Sequence, residues 1–247
     1  MFSYAAVYCD LFDTLIDFDV RRLPEIVVNG VKANSTSGAV YGLFSSFYPQ
    51  IPFDRFHSVF IESYREVERQ RSSTLMESSS QARFEALFTM LNIPTNSHTQ
   101  ELIHNIVDLH METMIHAMEF PPGNLPVLQA LKAKAPLGLI SNFDHSPTAL
   151  RILQRHGIHD LFDVILISEA VGWRKPSPLI FLRAIESLDI DASRAIFIGD
   201  SPTLDVAGAK GVGMKVVWIN RKGESYPAGI PKPDFEIPHF SRLLDVL

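Results

Sequence analysis

The chain has 247 residues, 46% of them hydrophobic and 20% charged, with 28 acidic against 22 basic side chains for a formal net charge of -6. That length allows one or two domains of roughly 100–200 residues, and the composition suits a packed core and excludes a disordered chain. An acidic balance without a clustered basic face argues against a nucleic-acid binder, and the lone Cys9 excludes a disulfide framework or a four-thiolate zinc site.

In chain order, the N-terminus MFSYAAVYCDLF has no basic leader region, and no stretch approaches the roughly 18 apolar residues of a membrane span, so a soluble, unprocessed cytoplasmic protein is expected. Residues 4–8 predict a first strand that ends at Asp10. Residues 17–118 read as all-helical, because windows such as 56–67, 83–91 and 102–118 space apolar residues three and four apart, with a Ser-rich loop at 72–80. From about residue 119 short apolar runs alternate with helical stretches, the pattern of a Rossmann-like parallel sheet with helices on both faces. Strands are predicted at 137–141, 162–168, 195–199 and 215–220. Ser146-Pro147 and Ser177-Pro178 mark helix starts, and Gly157 and Gly211 mark helix stops. The Pro-rich stretch 227–238 reads as an irregular path before a last helix near 241–247. The expected organisation is therefore an α/β core from 1–16 and 119–247, interrupted by a helical insert at 17–118. No internal repeat or heptad seam is found, and the oligomeric state is not legible.

In an open parallel sheet, ligands bind beyond the carboxyl ends of the strands. Asp10, Ser141 and Asp200 each follow a predicted strand, so three polar groups should converge on one edge. A single Asp in such a place reads as a turn former or helix cap. Three coincidences point to a site.

Four segments, Asp10-Leu-Phe-Asp-Thr14, Ser141-Asn142, Lys175 in Gly172-Trp-Arg-Lys-Pro176, and Gly199-Asp200 through Asp205, resemble in order the motifs of the haloacid dehalogenase-like hydrolase superfamily. The resemblance covers both ends of the chain, and the helical insert resembles that family's cap. It implies that Asp10 is a nucleophile forming an aspartyl-phosphate, a covalent intermediate that water hydrolyses. It further implies a Mg²⁺ ion held by Asp10, the Phe12 backbone carbonyl, Asp200 and Asp205, with Lys175 pairing to nucleophile and phosphate. Ser141 and Asn142 would bind the transferring phosphoryl oxygens, and Thr14 would steady the turn carrying Asp10. The implied substrate is a small anionic phosphoester. Lys175 and Asp205 also have plain readings, a solvated loop lysine and a first-turn helix acid.

Phe12 departs from the family's phosphatase branches, where the residue two after the nucleophile is a second aspartate that protonates the leaving alcohol. Asp13, one residue on, should point elsewhere. Losing a positioned acid costs about 10²–10⁴ in rate. A phosphatase with easily departing leaving groups, or one that borrows an acid from the cap, Asp144 or His145, is the preferred expectation. A 2-haloacid dehalogenase or phosphonate hydrolase is an alternative, although the dehalogenases work without metal and lack this fourth motif. A weakly active or non-catalytic binding module on the same scaffold is another.

Other polar residues have plainer explanations. Alternation turns Cys9 away from Asp10's side, as a buried core thiol. His110 shares a helical stripe with Ile103, Val107 and Met114 and reads as packed. Arg65, Glu66, Glu68, Arg69 and Arg71 read as a solvated helix face with i,i+3 and i,i+4 pairs. Arg21 and Arg22 could reach a substrate anion.

Overall fold

A computed structural model describes residues 3–247. The chain forms two compact units, one of Met1–Asp17 with Phe120–Leu247 and the other of Phe18–Glu119. The first unit is built on a six-stranded sheet in the order Phe235–Ile237, Lys215–Ile219, Ala195–Gly199, Ala6–Cys9, Leu137–Ser141, Val164–Ile167. Every neighbouring pair runs parallel. Parallel strands covered by helices must be apolar on both faces, and Ala6–Cys9, Leu137–Ser141 and Ala195–Gly199 are buried throughout. Tyr8 fits its ring over Gly138, where an added Cβ would sit 2.2 Å from the ring, and donates its hydroxyl to the Ala184 carbonyl at 2.8 Å. Phe181 and Phe197 pack edge to face beneath them, with centroids 5.3 Å apart.

The strand order carries the functional consequence. From Ala6–Cys9 the chain builds outward through Leu137–Ser141 and Val164–Ile167, then crosses to the other side of the first strand for Ala195–Gly199 and Lys215–Ile219. The first strand therefore stands at a topological switch point, with the ends of its two neighbours alongside. Cys9 is level with Leu139 on one side and Ile198 on the other, so Asp10, Ser141 and Asp200 leave the sheet together.

Several local expectations are corrected. The first strand is Ala6–Cys9, and the strand expected at 162–168 is Val164–Ile167, with Ser168 opening a short helix. The second unit is not all-helical: Glu25–Val28 pairs antiparallel with Val31–Asn34. Asn29 and Gly30 both take positive φ, 50° and 78°, the two-residue turn that Asn-Gly favours because it matches strand twist. Its helices are Ser37–Phe44, Phe53–Thr74, Ser80–Met90 and Ser97–Ile115, so the loop expected at 72–80 shrinks to the residues between Thr74 and Ser80. Within the 227–238 stretch, Phe235–Ile237 joins the sheet beside Lys215–Ile219, and the final helix is a 3-10 helix at Phe240–Asp245. Ser177 caps its helix by accepting the Leu179 N–H, whereas Ser146 gives its hydroxyl to Glu169 and His145 occupies the cap position.

Among the helical unit's polar residues, His110 is buried, with Nδ1 2.8 Å from Thr36 Oγ1 and its ring edge-on to Phe60 and Phe84. Arg69 pairs with Glu62 and Glu66 on an exposed face. Arg71 is the correction: it is 5% exposed, and its Nε lies 2.8 Å from the buried Glu77 carboxylate. Arg21 pairs with Asp19, and Arg22 with Glu119.

Candidate active site

Asp10 follows directly on the first strand, its N–H donated to the Ile198 carbonyl at 2.9 Å, which holds it at the sheet edge. The chain then turns sharply, with the Leu15 and Ile16 N–H groups both donated to the Leu11 carbonyl and Asp13 at a φ of 57°. This turn returns buried Thr14 to the nucleophile candidate, and its Oγ1 donates to Asp10 Oδ2 at 3.3 Å. Lys175 reaches in from the loop before the helix Pro178–Leu188. Its Nζ lies 2.5 Å from Asp10 Oδ1 and 2.7 Å from Asp205 Oδ1, and the residue is 2% exposed.

Asp205 sits in a π-helical turn, Pro202–Val206, that follows the strand Ala195–Gly199. Its Oδ2 accepts the Ser201 N–H at 2.9 Å, so it also serves its turn as an acid near a helix start. Gly199 makes room for it: a Cβ there would lie 2.4 Å from Asp205 Cγ. Half-buried Asp200 completes the group, and one oxygen from each of Asp10, Asp200 and Asp205 lies within 4.8 Å of the others.

This crowding has an electrostatic signature. Burial, then the charges of Asp10 and Asp205, push the Asp200 carboxyl up to about 7. Burial also raises Asp10, an effect opposed by Lys175 and reinforced by Asp205. Burial disfavours the Lys175 ammonium, but Asp10 and Asp205 outweigh it and hold its pKa above the ordinary value. Three oxygen-only donors around one point, with the Asp10 and Asp200 carboxyls pushed toward protonation, suit a hard divalent ion. Such groups are where acid–base and nucleophilic chemistry concentrates.

Ser141, the last residue of its strand, is fully buried and its Oγ has no partner. A hydroxyl desolvated without a hydrogen bond costs about 1–3 kcal/mol, and a bound anion at this edge would supply the missing acceptor. The Asn142 side-chain amide is occupied by the backbone of Lys175, accepting from the N–H at 2.7 Å and donating to the carbonyl at 3.0 Å. Phe12 is half-buried and packs on Phe143, centroids 4.8 Å apart. His145 Nδ1 is engaged with Thr148 Oγ1 at 2.8 Å. Cys9 lies fully buried in its strand, and burial raises its thiol pKa.

The sequence gives no local sign of three further supports. Trp218 donates its indole N–H to the Asp200 carbonyl at 2.8 Å. Arg221 donates to the Thr14 carbonyl at 3.1 Å and pairs with Asp17. Asn124 donates to the Leu15 carbonyl at 3.1 Å. Each comes from another segment of the chain, and only folding brings Trp218 to Asp200 and sets Arg221 and Asn124 beside the turn that follows Asp10.

An open parallel sheet with a lysine-bridged carboxylate cluster at its switch point defines a doubly wound α/β protein whose site lies beyond the carboxyl ends of its strands. The sequence profile of the haloacid dehalogenase-like hydrolases matches residues 50–219, and the chain belongs to that family. It is 30% identical over 149 residues to pyrimidine 5'-nucleotidase YjjG of Escherichia coli, covering 60% of this chain and 62% of that enzyme. It is 26% identical over 213 residues to glyceraldehyde 3-phosphate phosphatase of Pyrococcus abyssi, covering 86% of this chain and 80% of that one. Among solved structures, 2-haloacid dehalogenase from Pseudomonas syringae pv. Tomato DC3000 matches with a TM-score of 0.73 at 26% identity, covering 98% of this chain and 97% of that chain. No helix among the described residues is long and apolar enough to cross a membrane.

Proposed function

We propose that the protein is a Mg²⁺-dependent phosphatase of small anionic phosphoesters, with 1–16 and 119–247 as catalytic core and 17–118 as cap. The observation that carries this is the Lys175 ammonium set between Asp10 and Asp205 within a three-carboxylate cluster. A structural ion pair needs one acid, and a third converging carboxylate is explained by a divalent cation.

Asp10, Asp200 and Asp205, with the Phe12 backbone carbonyl, would hold the ion, which when bound neutralises charge on the phosphoryl group so that a carboxylate can approach it. An Asp10 carboxylate oxygen attacks phosphorus, the O–P bond forms, and the bond to the leaving oxygen breaks with its electron pair on that oxygen. Lys175 and Ser141 donate to the phosphoryl oxygens, where charge collects. Thr14 holds the second Asp10 oxygen in place, and water then cleaves the aspartyl-phosphate to release phosphate and restore Asp10. Phe12 offers no proton to the leaving group, which favours esters whose alcohol departs as a stable anion.

A second reading, a carbon-centred or phosphonate hydrolase, is favoured by Phe12 and by the likeness to a 2-haloacid dehalogenase structure. A phosphoester and 2-haloacid panel, with and without Mg²⁺ and with Asp10→Asn as blank, separates the two. Mg²⁺-dependent phosphate release that is lost in Asp10→Asn is expected. Halide release without Mg²⁺ would establish the second reading, and phosphatase activity surviving in Asp10→Asn would remove the mechanism.

A further inference from the structure

Lys175 lies between the short helix Ser168–Val171 and the helix Pro178–Leu188, outside any strand of the sheet. A lysine stem has four carbons and rotates freely, so the place of its ammonium depends on where the backbone beneath it is held. Asn142, immediately past the strand Leu137–Ser141, supplies that hold. Its Oδ1 accepts the Lys175 N–H at 2.7 Å and its Nδ2 donates to the Lys175 carbonyl at 3.0 Å. Neighbouring strands exchange bonds in this two-point fashion, and here a side-chain amide replaces the strand. Above the gripped peptide, Nζ bridges Asp10 and Asp205 at 2.5 and 2.7 Å.

We propose that Asn142 is a positioning residue: its carboxamide acts through the Lys175 backbone, setting where the ammonium stands between the two carboxylates, and not as a ligand of the phosphoryl group. The kinetic part of this rests on Asp10 and Lys175 being the reacting groups of a phosphatase. A misplacement of about 1 Å is enough to cost about 10²-fold in rate.

The test uses the Mg²⁺-loaded full chain as wild type, Asn142→Ala, Asn142→Asp, Lys175→Met and Asn142→Ala/Lys175→Met. Asn142→Asp keeps the shape and the Oδ1 acceptor but sets a carboxylate oxygen against the Lys175 carbonyl, so it reports even where the alanine variant folds poorly. Competitive acetylation with acetic anhydride, read by mass spectrometry at Lys175, should be slow in the wild type, where the residue is 2% exposed. It should quicken about tenfold or more in both Asn142 variants as the loop is released. With p-nitrophenyl phosphate, Asn142→Ala should lower kcat by about 10–100-fold with KM moved less than about threefold, and should cost nothing further in the Lys175→Met background. Unchanged Lys175 acetylation in both variants, a loss expressed in KM, or a loss that multiplies in the Lys175→Met background would overturn the proposal. Failure of the wild type to hydrolyse any phosphoester would instead remove the phosphatase reading, while the acetylation rates still decide the clamp.

Discussion

On the proposed mechanism, Gly199 and Phe12 are two places where a single side chain, or its absence, would set the chemistry. Any Cβ at residue 199 would strike Asp205, with Cγ and Oδ2 both at 2.4 Å. Gly199→Ala should therefore displace Asp205 and weaken Mg²⁺ binding about 10–100-fold, the size of effect that supports of metal ligands carry. Calorimetric titration with Mg²⁺ checks this, and wild-type affinity in the variant would count against Asp205 as a ligand. At Phe12, restoring a carboxyl as Phe12→Asp should raise kcat/KM on alkyl phosphates about tenfold or more, part of the roughly 10²–10⁴ that a positioned acid contributes. Esters of acidic phenols should gain little. Equal gains across a series of leaving groups would show that protonation is not what Phe12 withholds.

At the scale of elements, caps and turns account for what was legible and what was missed. The helix Ser97–Ile115 opens on a capping box in which Asn96 accepts the Thr99 N–H at 3.0 Å and Thr99 Oγ1 accepts the Asn96 N–H at 2.7 Å. Asn96→Ala should cost about 1 kcal/mol in urea denaturation. The hairpin after Pro24 carried its own signal, Asn-Gly between β-branched residues, but helical periodicity over a long window masks a short turn of different period. The strand Phe235–Ile237 was hidden because prolines surround it, and its pairing depends on Asp234. That carboxylate accepts the Val216 N–H at 2.8 Å and pairs with Lys210 and Lys215. Burial acts to raise its pKa, but Lys210, the Val216 N–H and Lys215 outweigh this and hold it below the usual carboxylate range. A depressed folded-state pKa contributes stability above the unfolded value and loses it as pH falls through the folded one. Asp234→Asn should thus be about 1–2 kcal/mol less stable than wild type at neutral pH, a gap that narrows below about pH 4. A gap independent of pH would assign the loss to packing instead.

At the scale of the whole molecule, the proposed function asks a chain of net charge -6 to bind an anion against its own field. On the proposed reading, local cations at the switch point, Lys175 and a divalent ion, would do that work over a few ångströms, where low dielectric makes them count. Filling the cluster should also offset the burial and the repulsion from Asp10 and Asp205 that together lift Asp200 to about 7. Mg²⁺ at about 100 times its Kd should stabilise the fold by about 2.7 kcal/mol, seen as a rise in Tm that chelation reverses and Asp200→Asn reduces. A Tm indifferent to Mg²⁺ would leave the carboxylate cluster without its cation.

The alternation of apolar runs with capped helices determined a parallel α/β core, because burial on both faces leaves a strand no polar positions. The ordered motifs determined which residues could carry chemistry, since strand ends at a switch point are the places left open to ligands. Only the tertiary structure decided how those residues share their bonds. Asn142 faces the Lys175 backbone, 33 residues away in sequence, and Trp218 and Arg221 reach the Asp200 and Thr14 carbonyls. Local propensity has no access to such contacts, because hydrogen bonds over long sequence separations exist only once the sheet has set the distance between their ends.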